Sequence, residues 1–233
     1  MLIDIGESAA GSAVRPMIEP SDKVSPRSVQ AELAPPGLSG PNVLLDQAMN
    51  RYARGEDDVF ELVYRQGAPR LRGFLVRMCS NAALADDLTQ DAFLRIHLAR
   101  GSFVAGAPAL PWMLAIARNA FLDHIRRDQV RRSAGARAST GNDAATVSAS
   151  PETHGDEVLV ARELLGVVRL TLDRMPTTQR EAFVLLRFEG LSVREAAHVL
   201  GATESAVKVR AFRAYEAIRA ALEQETGGST PRQ

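Results

Sequence analysis

Residues 191–222 read LSVREAAHVLGATESAVKVRAFRAYEAIRAAL, and they predict two helices joined by a tight turn. Ser192, followed three residues later by Glu195, is the pattern of a capping box, which begins a helix. Gly201 can adopt the left-handed conformation that ends one. Thr203 is a suitable N-cap for the second helix. This stretch is therefore expected to form a helix-turn-helix.

The second of these helices has two different faces when its residues are placed at 3.6 per turn. One face is apolar and consists of Val207, Ala211, Ala214, Ile218 and Ala221. The opposite face consists of Ser205, Lys208, Val209, Phe212 and Arg213, with Arg219 further along and Arg210 nearer the apolar edge. Such a face suits the major groove of DNA, where phosphates, base edges and thymine methyl groups are within reach. A solvated amphipathic helix would show a similar pattern, but the caps, the turn and the basic face together favour DNA binding.

The composition of the chain limits the classes of protein to which it can belong. The 233 residues are 45% hydrophobic and only 5% aromatic, which suits one or two helical domains with real cores. The formal net charge is zero, so any contact with nucleic acid must come from local basic patches. The single cysteine, Cys79, allows no disulfide framework within the chain and is expected to be a structural thiol. No apolar run approaches a membrane span and no signal peptide is evident, so we expect a cytoplasmic protein.

Changes in composition divide the chain into five segments. Residues 1–42 are rich in proline, glycine and serine and are predicted to be a disordered leader. Helical periodicity runs over residues 43–133 and again over residues 156–226. Residues 134–155 are small and polar, which predicts a flexible linker, and residues 227–233 form a polar tail. The expected fold class is all-α, with two small helical domains joined by the linker and a helix-turn-helix in the second.

Two features of the first helical domain are candidates for binding. The helix over residues 83–100 exposes a row of acids, which periodicity alone would assign to a solvated face. A later helix begins near Pro111 and ends in the arginines Arg126, Arg127, Arg131 and Arg132. Such a single-sign cluster suits the backbone of a nucleic acid, but a solvated helix end would look alike.

Two blocks of the sequence resemble the extracytoplasmic-function (ECF) sigma factors, a class of bacterial RNA polymerase specificity subunits. The first block is ADDLTQDAFLRIHLA followed by PWMLAIARNAFLDHIRR, which is similar to region two of the family. The second is MPTTQREAFVLLRFEGLSVREAAHVLGATESAVKVRAFRAYEAIR, which is similar to region four. With the helices before them, they cover about residues 43–133 and 156–224. Many regulators carry a similar helix-turn-helix, but both blocks in this order are characteristic of the family.

The resemblance implies roles for individual residues. Core RNA polymerase is expected to contact Asp87, Leu88, Gln90, Asp91 and Phe93. The −10 promoter element is expected to contact Phe103, Arg118, Asn119, Arg126 and Arg127. Phe103 would offer a ring to an unstacked base, Asn119 would bond a base edge, and the arginines would hold phosphates. The −35 element is expected to contact Ser205, Lys208, Val209, Arg210, Phe212 and Arg213. Trp112 is expected to pack inside the domain rather than contact a base.

The implied partners are core RNA polymerase, promoter DNA and an anti-sigma factor. No catalysis, cofactor, metal, small-molecule substrate or membrane insertion is expected. The chain has no phosphate-binding glycine loop, and its single cysteine and four histidines lack metal-site spacing. Two alternatives are a sigma-like decoy that sequesters an anti-sigma factor and an ordinary helix-turn-helix regulator. The retained cations argue against the decoy, and the region-two block argues against the regulator.

The sequence departs from the family pattern at two places. His97 stands where the family usually has tryptophan, and GAPALP at residues 106–111 replaces a more polar loop. The second departure leaves open which base the −10 loop prefers.

Overall fold

The computed structural model describes residues 42–133 and 155–227, and within these ranges the secondary structure is helical with no strand. The leader up to residue 41, the linker at residues 134–154 and the tail from residue 228 lie outside the described residues. The N-terminal half contains α1 (Val43–Ala53), α2 (Phe60–Cys79), α3 (Ala82–Ala99) and α4 (Ala109–Ser133). The C-terminal half contains α5 (Gly155–Arg174), α6 (Thr177–Arg187), α7 (Val193–Leu200) and α8 (Glu204–Gly227). The predicted all-α fold class is confirmed.

The helix-turn-helix is formed by α7 and α8, and its ends follow the local sequence signals. The Ser192 hydroxyl accepts a hydrogen bond from the backbone N–H of Glu195 at 3.2 Å, and the Glu195 carboxylate accepts one from the backbone N–H of Ser192 at 2.7 Å. This is the predicted capping box. Gly201 ends α7 with φ 61°, in the left-handed region. The Thr203 hydroxyl accepts a hydrogen bond from the backbone N–H of Ala206 at 3.2 Å and so caps α8.

The two halves pack directly against each other. Helix α7 lies on α4, and α6 lies on α2. The buried face of α7, formed by Ala196, Ala197, Val199 and Leu200, belongs to one hydrophobic cluster with the core of the N-terminal half. Trp112 is completely buried in that cluster, which confirms its expected packing role. A smaller cluster of Leu172, Met175, Phe183, Ala214 and Ile218 fixes α8 to α5 and α6. Helix α8 is therefore anchored on one side only.

Candidate nucleic-acid interface

Helix α8 presents the side that the sequence predicts for DNA. Its apolar stripe is buried at Val207, Ala214 and Ile218. On the opposite side, Ser205, Lys208, Val209, Phe212 and Arg213 are exposed, and Arg210 is half-buried. The Phe212 side chain is 64% exposed, which is unusual for a phenylalanine without a partner surface. This face combines two cations with exposed apolar groups, the chemistry that the major groove accepts.

An open groove of about 500 Å³ borders the same face. Its lining includes Phe183 and Leu191 on the inner side and Lys208, Phe212 and Tyr215 on α8. Tyr215 is partly exposed along it. Residues expected to face DNA therefore also form one wall of an apolar groove between α6 and α8.

The second candidate surface lies on α4, where three of the five predicted −10 residues remain accessible. Arg126 and Arg127 are exposed, and Asn119 is half-buried. Asp123 holds both arginines loosely: its carboxylate lies 3.5 Å from Arg126 Nη1, and its backbone carbonyl accepts a hydrogen bond from Arg127 Nε at 3.2 Å. Exposed pairs of this kind contribute little to stability, so both guanidinium groups can exchange Asp123 for a phosphate.

The loop that precedes α4 is held in place by α1. The Asn50 side-chain carbonyl accepts a hydrogen bond from the backbone N–H of Gly106 at 2.7 Å, and the Asp46 carboxylate accepts one from the backbone N–H of Ala109 at 2.8 Å. Burial raises the pKa of Asp46, and the nearby negative charge of Glu195 on α7 raises it further. The start of α4 is thus fixed by a carboxylate that also lies close to the C-terminal half.

Phe103 is not placed where the sequence predicts a base-stacking ring. It is only 7% exposed, and its ring meets that of Trp112 edge-on with the centroids 5.2 Å apart. The ring points inward because it packs on Trp112, which is itself completely buried. In this conformation Phe103 is a core residue, and it would have to leave the core to stack on a base.

Arg118 is likewise withdrawn from the expected phosphate contact. Its residue exposure is 9%, and its guanidinium forms a two-point ion pair with Glu181 of α6. Arg118 Nε donates to Oε1 at 2.7 Å, and Nη2 donates to Oε2 at 3.2 Å. Glu181 is itself only 1% exposed. The Glu181 carboxylate, from the other half of the chain, thus binds the guanidinium that was expected to hold a DNA phosphate.

Helix α3 carries the predicted polymerase contacts, but two of them lie inside the domain. Asp87 and Gln90 are exposed. Asp91 is half-buried, and its carboxylate lies 2.9 Å from Nη2 of Arg95. Leu88 and Phe93 are buried instead, because the side of α3 on which they lie packs on the rest of the N-terminal half. As placed here, these two residues support the fold and are not available to a partner.

Two leucines on the outer side of α3 were missed from the sequence. Leu94 is 58% exposed and Leu98 is 75% exposed. With Asp87 and Asp91 they follow the spacing i, i+4, i+7, i+11, which places all four on one helix face. This heptad-like spacing was the sequence signal that could have identified the two leucines. The outer face of α3, which we name the α3 strip (Asp87, Asp91, Leu94 and Leu98), is therefore acidic at one end and apolar at the other.

A band of ion pairs follows the seam between the two halves. The Glu189 carboxylate, just beyond α6, lies 3.0 Å from Arg70 Nε and 3.8 Å from Arg77 Nη1, both on α2. Burial raises the pKa of Glu189, and the two guanidinium groups counteract part of that rise. The Arg77 guanidinium also lies 4.2 Å from the centre of the Phe188 ring, a cation–π contact. The seam is therefore held by specific charge contacts as well as by apolar packing.

We also searched the described residues for a metal site, a membrane span and a reactive cysteine. Among residues 42–133 and 155–227, no group of three or more His, Cys, Asp or Glu side chains is placed to hold a metal ion. None of the helices in that part of the chain is long and apolar enough to cross a membrane. Cys79 is half-buried, its thiol donates to the backbone carbonyl of Asn81 at 3.2 Å, and burial raises its pKa. It therefore has the character of a structural thiol.

Comparisons with known proteins identify both halves. Family models for Sigma-70 region 2 and Sigma-70 region 4 match residues 63–131 and 165–218. RNA polymerase sigma factor CarQ of Myxococcus xanthus is 37% identical over 174 residues, which cover 75% of this chain and 95% of CarQ. The ECF RNA polymerase sigma factor BldN of Streptomyces coelicolor is 31% identical over 186 residues, which cover 78% of this chain and 67% of BldN.

A solved structure matches across both halves as well. The sigma factor RpoE of Bartonella quintana, in complex with the anti-sigma factor NepR, superposes with a TM-score of 0.57 at 26% identity, covering 72% of this chain and 98% of RpoE. These two regions in this order define a sigma-70-like transcription initiation factor. Within that class, the chain belongs to the ECF sigma factors. Its function is that of an RNA polymerase sigma factor, and the decoy and the ordinary regulator are not favoured.

Proposed function

We propose that this sigma factor divides promoter recognition among three separate surfaces. The α3 strip holds core polymerase, the outer side of α4 receives the −10 element, and the exposed face of α8 reads the −35 element. The observation that carries this division is the one-sided anchoring of α8, which leaves Phe212 largely exposed between Lys208 and Arg213. A helix fixed through its apolar stripe can enter the major groove without rearranging its own domain.

The residues proposed for the −10 contact differ in whether DNA can reach them in this conformation. Arg126 and Arg127 can meet DNA as they stand because both are exposed, and Asn119 lies half-buried on the same helix. Arg118 and Phe103 can join them only after the seam and the loop before α4 have rearranged. We therefore assign Arg126 and Arg127 to initial contact, and Asn119, Arg118 and Phe103 to the complex in which a base has left the stack.

The α3 strip supports polymerase binding because it combines exposed leucines with acids. Apolar groups exposed on a helix are candidates for the centre of a protein interface, and Leu94 and Leu98 lie side by side there. Asp87 and Gln90 then belong to the polar edge. Leu88 and Phe93 act through the fold, by fixing α3 against the rest of its domain.

An anti-sigma factor is the further partner that we propose. The support is the likeness to RpoE, which was solved in complex with the anti-sigma factor NepR.

We place the protein in the cytoplasm, where the polymerase and the chromosome lie, and assign it no catalytic chemistry of its own. Residues 43–133 and 156–226 are proposed as its two domains, joined by the linker at 134–155.

Reconstituted run-off transcription tests this function. The full chain is mixed with core RNA polymerase and a library of genomic promoter fragments, and transcripts are sequenced from their start sites. We expect transcription that depends on the added chain and starts downstream of a shared pair of upstream elements. A decoy would bind an anti-sigma factor and give no transcript. An ordinary regulator would bind the fragments without needing core polymerase to select them.

A further inference from the structure

The pairing of Arg118 with Glu181 has the geometry of a phosphate contact. A guanidinium offers two parallel N–H donors, which fit a carboxylate and a phosphate equally well. In this structure both oxygens of Glu181 occupy those donors, at 2.7 and 3.2 Å. Arg118 therefore cannot hold Glu181 and a DNA phosphate with the same fork at the same time.

The main ion pairs across the seam all run in the same direction. The acids of the seam's main ion pairs, Glu181 and Glu189, belong to the C-terminal half, and their partners Arg118, Arg70 and Arg77 belong to the N-terminal half. A further contact closes the end of α2, where Arg180 Nη1 donates to the backbone carbonyl of Met78 at 2.8 Å. This arrangement selects one relative orientation of the two halves, because a shift along the seam would separate several pairs together.

The packing of the two halves against each other affects the two proposed DNA-binding surfaces differently. Helices α6 and α7 lie against the N-terminal half and bury Arg118 of α4. The recognition side of α8 faces away from the seam and keeps Lys208, Phe212 and Arg213 exposed. The closed arrangement thus withholds part of the −10 surface while the −35 surface stays available.

We propose that the Arg118–Glu181 pair is an autoinhibitory clamp, in which Glu181 substitutes for a promoter phosphate until the two halves separate. A buried ion pair adds little net stability, because desolvation of both charges offsets their attraction. The clamp can therefore open when a DNA phosphate replaces the Glu181 carboxylate. Loss of one partner alone is costly, because it leaves a buried charge uncompensated. The part of this inference that concerns DNA rests on the proposed phosphate role of Arg118.

The clamp is tested first by distance, without DNA. Spin labels are attached at Gln66→Cys on α2 and Gln224→Cys on α8, both exposed positions, in a Cys79→Ser background of the full chain. Electron paramagnetic resonance then gives the distribution of distances between the halves. We expect one narrow population in the otherwise unchanged protein, and a second, longer and broader one in Glu181→Gln. Glu163→Gln removes the same charge from an exposed position on α5 and should leave the narrow population unchanged.

A double-mutant cycle separates the clamp from a general loss of packing. Arg118→Gln alone should also populate the longer distance, since it leaves the buried Glu181 unpaired. The double variant Arg118→Gln with Glu181→Gln buries no charge and should restore at least half of the closed population. Additive opening by the two substitutions, or a broad distribution already present without them, would overturn the clamp.

Binding to a fluorescein-labelled single-stranded oligothymidylate supplies the second readout. In Glu181→Gln the freed Arg118 gains a phosphate, so the dependence of log affinity on log salt should steepen by about 0.7. The double variant and Glu163→Gln should keep the original slope. A change in distance without a change in slope would uphold the clamp and overturn the phosphate role of Arg118. Unchanged distances in Glu181→Gln would overturn the clamp whatever the slope.

Discussion

Arg70 holds Glu189 at two points across the seam. Its Nε donates to the carboxylate at 3.0 Å, and its Nη2 donates to the backbone carbonyl of the same residue at 2.5 Å. One side chain of α2 thereby fixes both the side chain and the main chain of the turn that follows α6. That turn leads directly into α7, so the position of the helix-turn-helix depends on a residue of the other domain.

The first prediction concerns the effect of pH on this contact. Burial raises the pKa of Glu189, while Arg70 and Arg77, the charged groups that face it, lower it in part. A carboxyl whose folded pKa is raised stabilises the fold most at low pH and loses that contribution as the pH rises through the folded pKa. Relative to Glu189→Gln, the free energy of unfolding of the unaltered protein should therefore fall as the pH rises from about 4, near the pKa of an unfolded glutamate, through the folded pKa of Glu189.

Urea unfolding followed by circular dichroism at several pH values measures this difference. Glu61→Gln, which removes an exposed carboxylate from α2, serves as the control, and its curve should stay parallel to that of the unaltered protein. If the curve of Glu189→Gln is also parallel, the carboxyl does not titrate differently in the folded state, and the prediction is wrong.

The second prediction distinguishes binding residues from core residues on α3. Leu94→Ala with Leu98→Ala should weaken association with core polymerase at least tenfold, because truncating an interface anchor costs about 1 kcal/mol or more. Stability should change by no more than about 0.5 kcal/mol per site, as is usual for exposed positions. Phe93→Ala should instead cost about 3–5 kcal/mol of stability because it leaves a cavity in the core.

Fluorescence titration with core polymerase and urea unfolding give the two quantities. Leu44→Ala removes an exposed leucine from α1 and is the matched control, expected to be neutral in both measurements. Full polymerase affinity in the double leucine variant would remove the α3 strip from the interface.

A third prediction concerns the cap of the helix-turn-helix. Ser192→Ala removes the acceptor for the backbone N–H of Glu195 and should lower the free energy of unfolding by about 0.5–2 kcal/mol. Ser192→Asp keeps an acceptor at the N-cap and should retain most of that stability. Thermal and urea denaturation of both variants measure the effect, and equal stability of the alanine and aspartate variants would show that the hydroxyl contributes nothing.

Features decided within a few residues of sequence could be predicted. The capping box, the left-handed Gly201 and the two faces of α8 depend only on neighbours less than two turns away, and all three are confirmed. Thr177 and Thr178 are also suitable N-cap residues, but the N-cap position of α6 is occupied by Pro176, with ψ 136°.

Features that depend on distant parts of the chain could not be predicted. Arg118 and Glu181 are separated by 63 positions, and no local pattern indicates that a carboxylate will meet this arginine. Phe103 lies in a segment that reads as a loop, and its burial follows from the packing of Trp112 beneath it. His97, which departs from the family pattern, lies with Nδ1 2.5 Å from the Tyr52 hydroxyl on α1, another contact between distant residues.

The last prediction separates the two DNA-reading surfaces. Arg213→Ala on α8 should remove either a base contact, with a cost of about 1–3 kcal/mol and relaxed discrimination at one upstream position, or a phosphate contact, which would flatten the salt slope by about one unit. Neither loss should alter melting once a complex has formed, because α8 meets closed duplex.

Asn119→Ala should spare upstream binding and reduce permanganate-detectable opening near the start site, since its proposed partner becomes available only after a base has left the stack. On a pre-melted bubble template the opening defect of Asn119→Ala should largely disappear while the weaker base contact remains. Both variants are compared on duplex and bubble templates at matched salt. If Asn119→Ala behaves as the unaltered protein on both templates, the Asn119 side chain serves only the packing or surface of α4, and the −10 assignment of that residue is wrong.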